Sequence, residues 1–302
     1  MSGDRNHCLL VNPHSAGGRT LKLLPKVEAE LRRRSVPYRV VWTESLSHGV
    51  SEAQRAAEAG EVPVVMSGDG LIGQVGGALA NTDTPLGMIP GGRGNDLARV
   101  LGIPTDPAGS VAVLADGHQR VIDVGEANDR RFLCVASFGF DSECNRIANE
   151  TKIIKGNLVY AYSVPRTIVA WRPAHFEVTI DGGEPISFAG WSVAVANSQA
   201  FGGGMYIAPH AKLDDGLFDV ITIDSTIGKL RYLSNLPKVF KGTHVDGDGV
   251  TELHAAGSTV EVSADSNFGV YADGEHLTDL PVTLRVLPRA LRVIAPPPGP
   301  RP

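Results

Sequence analysis

Three glycine-rich segments hold the residues best suited to chemistry. Val11-Asn12-Pro13-His14-Ser15-Ala16-Gly17-Gly18, Met66-Ser67-Gly68-Asp69-Gly70-Leu71 and Ile89-Pro90-Gly91-Gly92-Arg93-Gly94-Asn95-Asp96 each follow a short apolar run and precede a helical pattern. Such a turn offers backbone N–H groups to a phosphate, and the helix N-terminus behind it favours negative charge. Asp69 has the hard oxygens to hold a magnesium ion or orient a nucleotide. Arg93 can meet two phosphate oxygens with its planar fork. Taken singly, each segment is also an ordinary turn, because Asp-Gly pairs are common in turns. None has the spacing of a P-loop or of the dinucleotide Gly-x-Gly-x-x-Gly turn. Far downstream, Asp273-Gly274-Glu275 sets two carboxylates side by side. Such a pair can orient or deprotonate an alcohol, and the same residues also suit a β-hairpin turn. Glycine loops, a metal-binding carboxylate, an arginine and a late acidic pair together suit phosphoryl transfer, which depends on positioning and charge neutralisation.

The elements that must position these residues alternate between strand and helix over the first ~120 residues. Cys8–Val11, Tyr38–Trp42, Val62–Met66 and Leu86–Ile89 read as strands. Thr20–Arg34, with Leu21, Leu24, Val27 and Leu31 at helical spacing, reads as a helix, as do Gly49–Ala59, Gly70–Leu79 and Asn95–Leu101. This pattern predicts a parallel sheet covered by helices, with the three loops lining one crevice at the carboxyl ends of the strands. After Ala115 the texture becomes β-rich. Val121–Val124, Phe132–Ser137, Phe176–Ile180, Trp191–Ala196, Phe218–Ile223, Thr259–Val262 and Val282–Val286 read as strands of an antiparallel sandwich. Helical patterns interrupt it around Cys144–Ile168 and at Lys229–Lys241. The expected fold is α/β: a parallel-sheet domain over 1–120, an antiparallel β-sandwich domain over 121–290, and a tail over 291–302 whose Pro-rich stretch Ala295–Pro302 is expected to be unstructured.

Composition narrows the function classes. The 302 residues carry 28 Lys plus Arg against 33 Asp plus Glu, a formal charge of -5. That argues against a general nucleic-acid binder. The three cysteines, Cys8, Cys134 and Cys144, are odd in number and form no Cys-x-x-Cys pair, so a reducing cytoplasm is expected. No apolar run reaches the ~20 residues of a membrane-spanning helix. Contact with a membrane is therefore expected to be peripheral. The histidines lack metal spacing, and His14 and His48 read as surface residues near the first loops. Arg32-Arg33-Arg34 reads as a C-terminal complement to a helix dipole.

Asn12-Pro13 with a following glycine, then Ser67-Gly68-Asp69-Gly70, then Pro90-x-Gly92-x-Gly94-Asn95-Asp96-x-Ala98-Arg99, in this order, resembles the catalytic family of diacylglycerol and sphingosine kinases. The likeness continues through Gly139-Phe140-Asp141, Gly202-Gly203-Gly204-Met205 to Pro209, Lys212-Leu213-Asp214-Asp215-Gly216-Leu217-Phe218-Asp219 and Ala272-Asp273-Gly274-Glu275, and spans Leu9 to Val286. The resemblance implies that 1–120 is a nucleotide-binding domain and 121–290 a lipid-substrate domain, with the active site in the cleft between them. It implies that Asn12, Pro13, Ser15, Gly17, Thr43, Ser67, Gly68, Asp69, Gly70, Arg93, Gly94 and Asn95 hold ATP. It implies that Asp273 and Glu275 lie at the reacting centre, one of them as general base. A magnesium ion would be held by Asp215 and by main-chain oxygens near Lys212 and Leu217. The chain departs from the commoner family pattern at Ser67 and Leu71, at Arg93 where a hydroxyl is usual, and at Gln74 where a Glu is frequent.

The expected reaction is transfer of the γ-phosphoryl group of ATP to a lipid hydroxyl, with diacylglycerol as acceptor and a phosphatidic-acid-type product. The expected partner is lipid at the membrane surface, and a homodimer is compatible with the sequence. Thr151–Pro173 mixes Lys152, Lys155, Arg166 and Arg172 with Ile153, Ile154, Leu158, Val159 and Trp171, a composition suited either to a membrane interface or to a core-packing helix with surface charges. Two other functions stay open at this level. One is a kinase for a different acceptor, such as a sphingoid base, a glycolipid or an NAD-like soluble substrate. The other is a nucleotide- or lipid-binding regulator without catalysis.

Overall fold

The computed structural model describes residues 6–150, 158–245, 247 and 249–298. The chain divides into two compact units, residues 1–124 with 289–302, and residues 125–288.

In the first unit, β1 (His7–Val11), β2 (Tyr38–Trp42), β3 (Val62–Ser67) and β4 (Gly87–Pro90) form a parallel sheet in the order β2-β1-β3-β4. Every residue of β1 and β3 is buried, as continuous Val/Leu/Ile runs demand when helices cover both faces. Helix α1 (Arg19–Arg33) buries Leu24, Val27 and Leu31, while Leu21, expected on the same face, is 47% exposed. Its basic end is paired within the helix, Arg32 to Glu28 and both Arg33 and Arg34 to Glu30. Helix α2 (Leu46–Glu58) starts earlier than the expected Gly49, because Ser45 caps it by accepting the His48 N–H. Helix α3 (Asp69–Leu79) follows β3 after Gly68 alone, and α4 (Asp96–Val100) follows β4 after the loop 91–95. An unanticipated helix, α5 (Pro107–Asp116), is bounded by the Asp106 N-cap and left-handed Gly117.

The second unit is antiparallel, and the first strand of its sheet begins, and the last ends, in residues of the first unit. Its chain runs β5 (Gln119–Ala127), β6 (Arg130–Phe132), β7 (Val135–Gly139), α6 (Phe140–Glu150), α7 (Leu158–Ala170), β8 (Ala174–Ile180), β9 (Ile186–Ala196) and β10 (Phe218–Asp224). It continues through α8 (Lys229–Val239), β11 (Val250–Gly257), β12 (Thr259–Ala264), β13 (Gly269–Ala272), β14 (Glu275–Asp279) and β15 (Val282–Ile294). The strand order is β14-β13-β7-β9-β8-β12-β15-β5-β6, and β10 pairs with both β9 and β11. A sandwich-like core forms around Phe132, Phe138, Phe176, Phe218, Val193 and Val260. Phe132–Ser137, expected as one strand, is broken at Leu133-Cys134 between β6 and β7.

Two differences from the sequence-based domain scheme concern the C-terminus. Strand β15 extends to Ile294, so Leu291–Ile294 belong to a strand and not to a tail. Its end, from Arg289, belongs to the first unit. There the Leu86 N–H donates to the Arg292 carbonyl (2.8 Å) and the Ile294 N–H to the Leu86 carbonyl (2.9 Å). Leu291, Val293, Ile294 and Ala295 are all buried. The proline run that marked a tail begins only at Pro296. Of the mixed segment Thr151–Pro173, residues 151–157, with Lys152, Ile153, Ile154 and Lys155, lie outside the described residues.

Candidate functional site

The three glycine loops of the first unit meet one another. The Asn12 N–H donates to the Met66 carbonyl (3.3 Å), the Gly91 N–H to the Ser67 carbonyl (2.9 Å), and the Ser15 hydroxyl to the Gly91 carbonyl (3.3 Å). The backbones of Gly68 and Gly92 approach so closely that a Cβ on Gly92 would lie 2.4 Å from the Gly68 Cα. Only glycine fits there. Thr43 is buried beside the end of β1, with its N–H 2.9 Å from the Val11 carbonyl. Asn12 closes the first turn by accepting the His14 N–H (3.0 Å), while Pro13 is half-buried and Gly17 is exposed with φ +70°. His14 is exposed too, as expected.

Asp69 makes contacts that its flanking glycines do not announce. Its two carboxylate oxygens accept the N–H groups of Asn95 (2.8 Å) and Asp96 (2.6 Å). It therefore clamps the second loop to the third. Burial, and next the neighbouring Asp96 carboxylate, push its pKa up from 3.8 to about 6, against the two amide hydrogen bonds that pull it down. Asn95 is left-handed (φ +52°), and its side-chain oxygen accepts the Gly92 N–H (2.8 Å) while its amide donates to the Gly92 carbonyl (3.1 Å). The amides of Gly91, Gly92, Asn95 and Asp96 are thus spent inside the protein. Donors for a phosphate must come from elsewhere. The start of α3, at Gly70 and Leu71 behind an N-cap glycine with no side-chain cap, is suited to this. Arg93 is exposed on the third loop, and the Gly94 carbonyl accepts from Arg99 (3.3 Å).

In the second unit, Asp273-Gly274 forms the tight turn of the β13–β14 hairpin, both residues having positive φ. The hairpin reading of the motif is therefore correct in form. The turn also holds a cluster of groups suited to chemistry. The Asp273 carboxylate accepts the Leu133 N–H (2.7 Å) and the Cys134 N–H (3.0 Å), the two amides released where β6 breaks from β7. Glu275 is directly opposite Ala272 in the antiparallel register, so the two side chains share a face. Ala272 belongs to the core cluster. Burial on that face raises the Glu275 pKa above 4.5. One carboxylate is thus bound to backbone amides and its neighbour is half-buried and more basic.

Asp215 is exposed in a turn where its own oxygen accepts the Leu217 N–H (3.2 Å). One carboxylate with the Lys212 and Leu217 carbonyls is a set of hard oxygens of the kind magnesium takes. Among the described residues, no group of three or more His, Cys, Asp or Glu could hold a metal.

Sequence reasoning missed a further group. Asp141, at the start of α6 after left-handed Gly139, accepts the Tyr232 hydroxyl (3.2 Å). Burial raises the Asp141 pKa against hydrogen bonds from Ser192 and Tyr232, and raises that of Tyr232 well above 10.0. The pair lies on the wall of a cavity holding about 470 Å³ including its mouth, otherwise lined mainly by apolar side chains such as Met205, Ile223, Leu236 and Val250. Gly139-Phe140-Asp141 was visible in the sequence, but its partner is 91 positions away.

Residues 6–127 match the family profile "Diacylglycerol kinase catalytic domain", and residues 134–295 match "YegS C-terminal NAD kinase beta sandwich-like domain". A diacylglycerol kinase of Mycobacterium tuberculosis (strain CDC 1551 / Oshkosh) is 34% identical over 294 residues, 95% of this chain and 94% of that protein. The chain belongs to the diacylglycerol kinase family. Its fold agrees. A Bacillus anthracis str. Sterne crystal structure, provisionally named a diacylglycerol kinase, superposes with a TM-score of 0.81 at 22% identity, over 98% of this chain and 97% of that one. An NAD kinase from Archaeoglobus fulgidus, solved in complex with ATP, shares the fold more distantly, with a TM-score of 0.51 at 14% identity over 95% of this chain and 93% of that one. Family membership makes the chain a kinase of the diacylglycerol kinase type and implies the use of ATP. Among the described residues no helix is long and apolar enough to cross a membrane.

Proposed function

We propose that the chain transfers the γ-phosphoryl group of ATP to the free hydroxyl of diacylglycerol, giving phosphatidic acid, as a cytoplasmic protein that meets membranes peripherally. The observation that carries the choice of acceptor is the largely apolar cavity with a buried carboxyl–phenol pair on its wall. Such a cavity takes hydrocarbon, and one buried polar pair can read a hydroxyl at its end. A soluble dinucleotide acceptor would leave that lining unused.

The loops held to one another through Ser15, Ser67, Gly68, Gly92 and Asn95 would frame the triphosphate, with amide donors from Gly70 and Leu71 at the start of α3 and with Asn12, Pro13, Gly17, Thr43 and Gly94 shaping the same wall. Arg93 would neutralise phosphate charge. Asp69 would work by keeping the second and third loops in register. In the transfer itself, the lipid hydroxyl loses its proton to a carboxylate of the Asp273–Glu275 turn, its oxygen bonds to the γ-phosphorus, and the bond to the β-phosphate oxygen breaks, releasing ADP. Magnesium bound with ATP would offset phosphate charge, and a second ion held by Asp215 and the Lys212 and Leu217 carbonyls would brace the turn before β10.

The test is direct. The purified full chain with magnesium and ATP should phosphorylate diacylglycerol in mixed micelles, and Asp273→Asn should abolish this. Phosphorylation of NAD with none of any lipid in a parallel screen would overturn the choice of acceptor. Full activity of Asp273→Asn would remove Asp273 from the reaction.

A further inference from the structure

Helix α8 presents different chemistry on its different sides. Tyr232, Leu236 and Val239 recur at helical spacing and line the apolar cavity, and Tyr232 is fixed there by stacking on Trp191 at 4.5 Å. A second stripe faces solvent. Leu230 is 84% exposed, Leu233 39% and Phe240, just past the helix, 53%. By helical geometry this stripe adjoins the cavity-lining one, and Arg231, Lys238 and Lys241 fall beyond it. The end of α7 joins the surface, because Lys229 Nζ donates to the Val169 carbonyl (3.0 Å) and Val169 is 79% exposed.

The charge is one-sided. Residues 229–241 hold Lys229, Arg231, Lys238 and Lys241 and no acidic residue, in a chain whose net charge is -5. Exposed Arg166 and Arg172 flank the end of α7. Lys229 and Arg231 occupy the first turn of α8, where the helix dipole disfavours cations. The helix dipole does not account for that placement. Bulky apolar side chains in solvent beside a row of cations are what a helix lying in an anionic bilayer interface needs.

We propose that the exposed side of α8, with Val169 of α7, is a docking surface for an anionic lipid bilayer, and that Leu230, Leu233 and Phe240 enter the acyl boundary while the cations meet the headgroups. Its use in catalysis rests on the lipid-acceptor reading above, since the other side of the same helix walls the cavity assigned to the acyl chains. Docking itself does not depend on that reading.

The test is flotation of the full chain with vesicles of phosphatidylcholine containing phosphatidylglycerol, and with phosphatidylcholine alone. The protein should float with the anionic vesicles, and rising salt should release it. The double substitution Lys238→Glu/Lys241→Glu should lower partitioning at least about tenfold, from the worth of each cation at an anionic surface. Leu230→Ser/Leu233→Ser/Phe240→Ser should do the same with the charge unchanged. Both variants alter exposed side chains, so the thermal unfolding midpoint should stay at the wild-type value and vouch for folding. Phosphorylation of dioctanoylglycerol dispersed in detergent micelles, measured on the same samples, should stay intact. Flotation lost in the variants, with no lipid phosphorylation by the wild type, would uphold docking and overturn the acceptor reading. Wild-type protein that stays with the unbound fraction, or variants that float equally well, would overturn docking. So would variants that only turn a dimer into a monomer, which would make this face a contact between copies of the chain.

Discussion

Three carboxylates in this chain differ in what they touch, and that difference predicts how each responds to substitution and pH. Asp69 accepts two amides of the third loop. Asp69→Asn would turn an N–H donor against one of them, so a stability loss of about 1–3 kcal/mol is expected at neutral pH, read as a lower midpoint in urea. Its pKa of about 6 in the folded chain exceeds the model-peptide 3.8. On acidification the folded state therefore takes up this proton first, and the Asp69 contribution to stability rises as pH falls from about 6 toward 4. The neutral carboxyl is a weaker acceptor for the two amides, so ATP affinity should fall below about pH 6 and do so less in Asp69→Asn. A calorimetric ATP affinity flat from pH 7 to 5 would sink the clamp argument. Asp273 also accepts two backbone amides, so its oxygens are engaged by the protein. Glu275 is raised by burial and more basic. Glu275→Gln should therefore leave unfolding nearly unchanged or slightly favour the fold above neutral pH, where ionised Glu275 is penalised, while kcat falls and its acid limb disappears. Asp273→Ala should lower both stability and kcat. If Glu275→Gln melted early with normal kcat, the two assignments would have to be exchanged.

At the level of elements, the sequence reads well where the signal is local. The runs Cys8–Val11 and Val62–Met66 are fully buried strands, and Gly68 after the second marks a turn where a Cβ would lie 3.1 Å from the Gly92 backbone. Gly92→Ala sets a Cβ 2.4 Å from the Gly68 backbone, and backbone cannot swing aside. A loss of about 1–3 kcal/mol is expected, together with weaker ATP binding, because the second and third loops separate. Gly17→Ala meets open space and only a positive φ, so roughly 1 kcal/mol and a smaller loss of ATP affinity should follow. Equal effects of the two in thermal unfolding and ATP titration would contradict the close-packed loop pair. Helix α5 carries standard start and stop signals, Asp106-Pro107 and Gly117, but no functional motif adjoins it. The break between β6 and β7 was not legible at all. Phe132–Ser137 is almost wholly apolar, and the strand parts where Asp273, some 140 residues away, takes the Leu133 and Cys134 amides. The role of Asp69 was hidden for the same reason: its partners lie 26 and 27 positions along the chain. Motif spacing marks the candidate residues, and long-range hydrogen bonds show which of them hold other parts of the protein.

Across the molecule, the return of the chain was the least legible feature and carries the largest stability prediction. Hydrophobic alternation marks Val282–Val286 as a strand, but nothing local says that the same strand, past Pro288, completes the first unit. The Arg289 N–H donates to Asp123 Oδ1 (2.6 Å), and Asp123 is fully buried within that unit. Ile294 then packs in the core formed by Leu9, Val27, Val64 and Ile89. Leu291 and Val293 are fully buried as well. Three such side chains contribute about 1.5–3 kcal/mol each, comparable with the roughly 5–15 kcal/mol that holds a whole domain together. A chain ending at Pro288 also leaves the buried Asp123 carboxylate without the Arg289 amide. That truncation should therefore unfold the first unit and abolish ATP binding, whereas a chain ending at Ala295 should match the full protein. Limited proteolysis followed by mass mapping reads the difference. Rapid cleavage within residues 6–124 is expected only in the shorter chain, with residues 125–288 cut no faster than in the full protein if the second unit keeps its own core. Equal resistance of the two truncations would mean that the first unit closes its core without β15, and that the strand is an accessory to the nucleotide-binding loops.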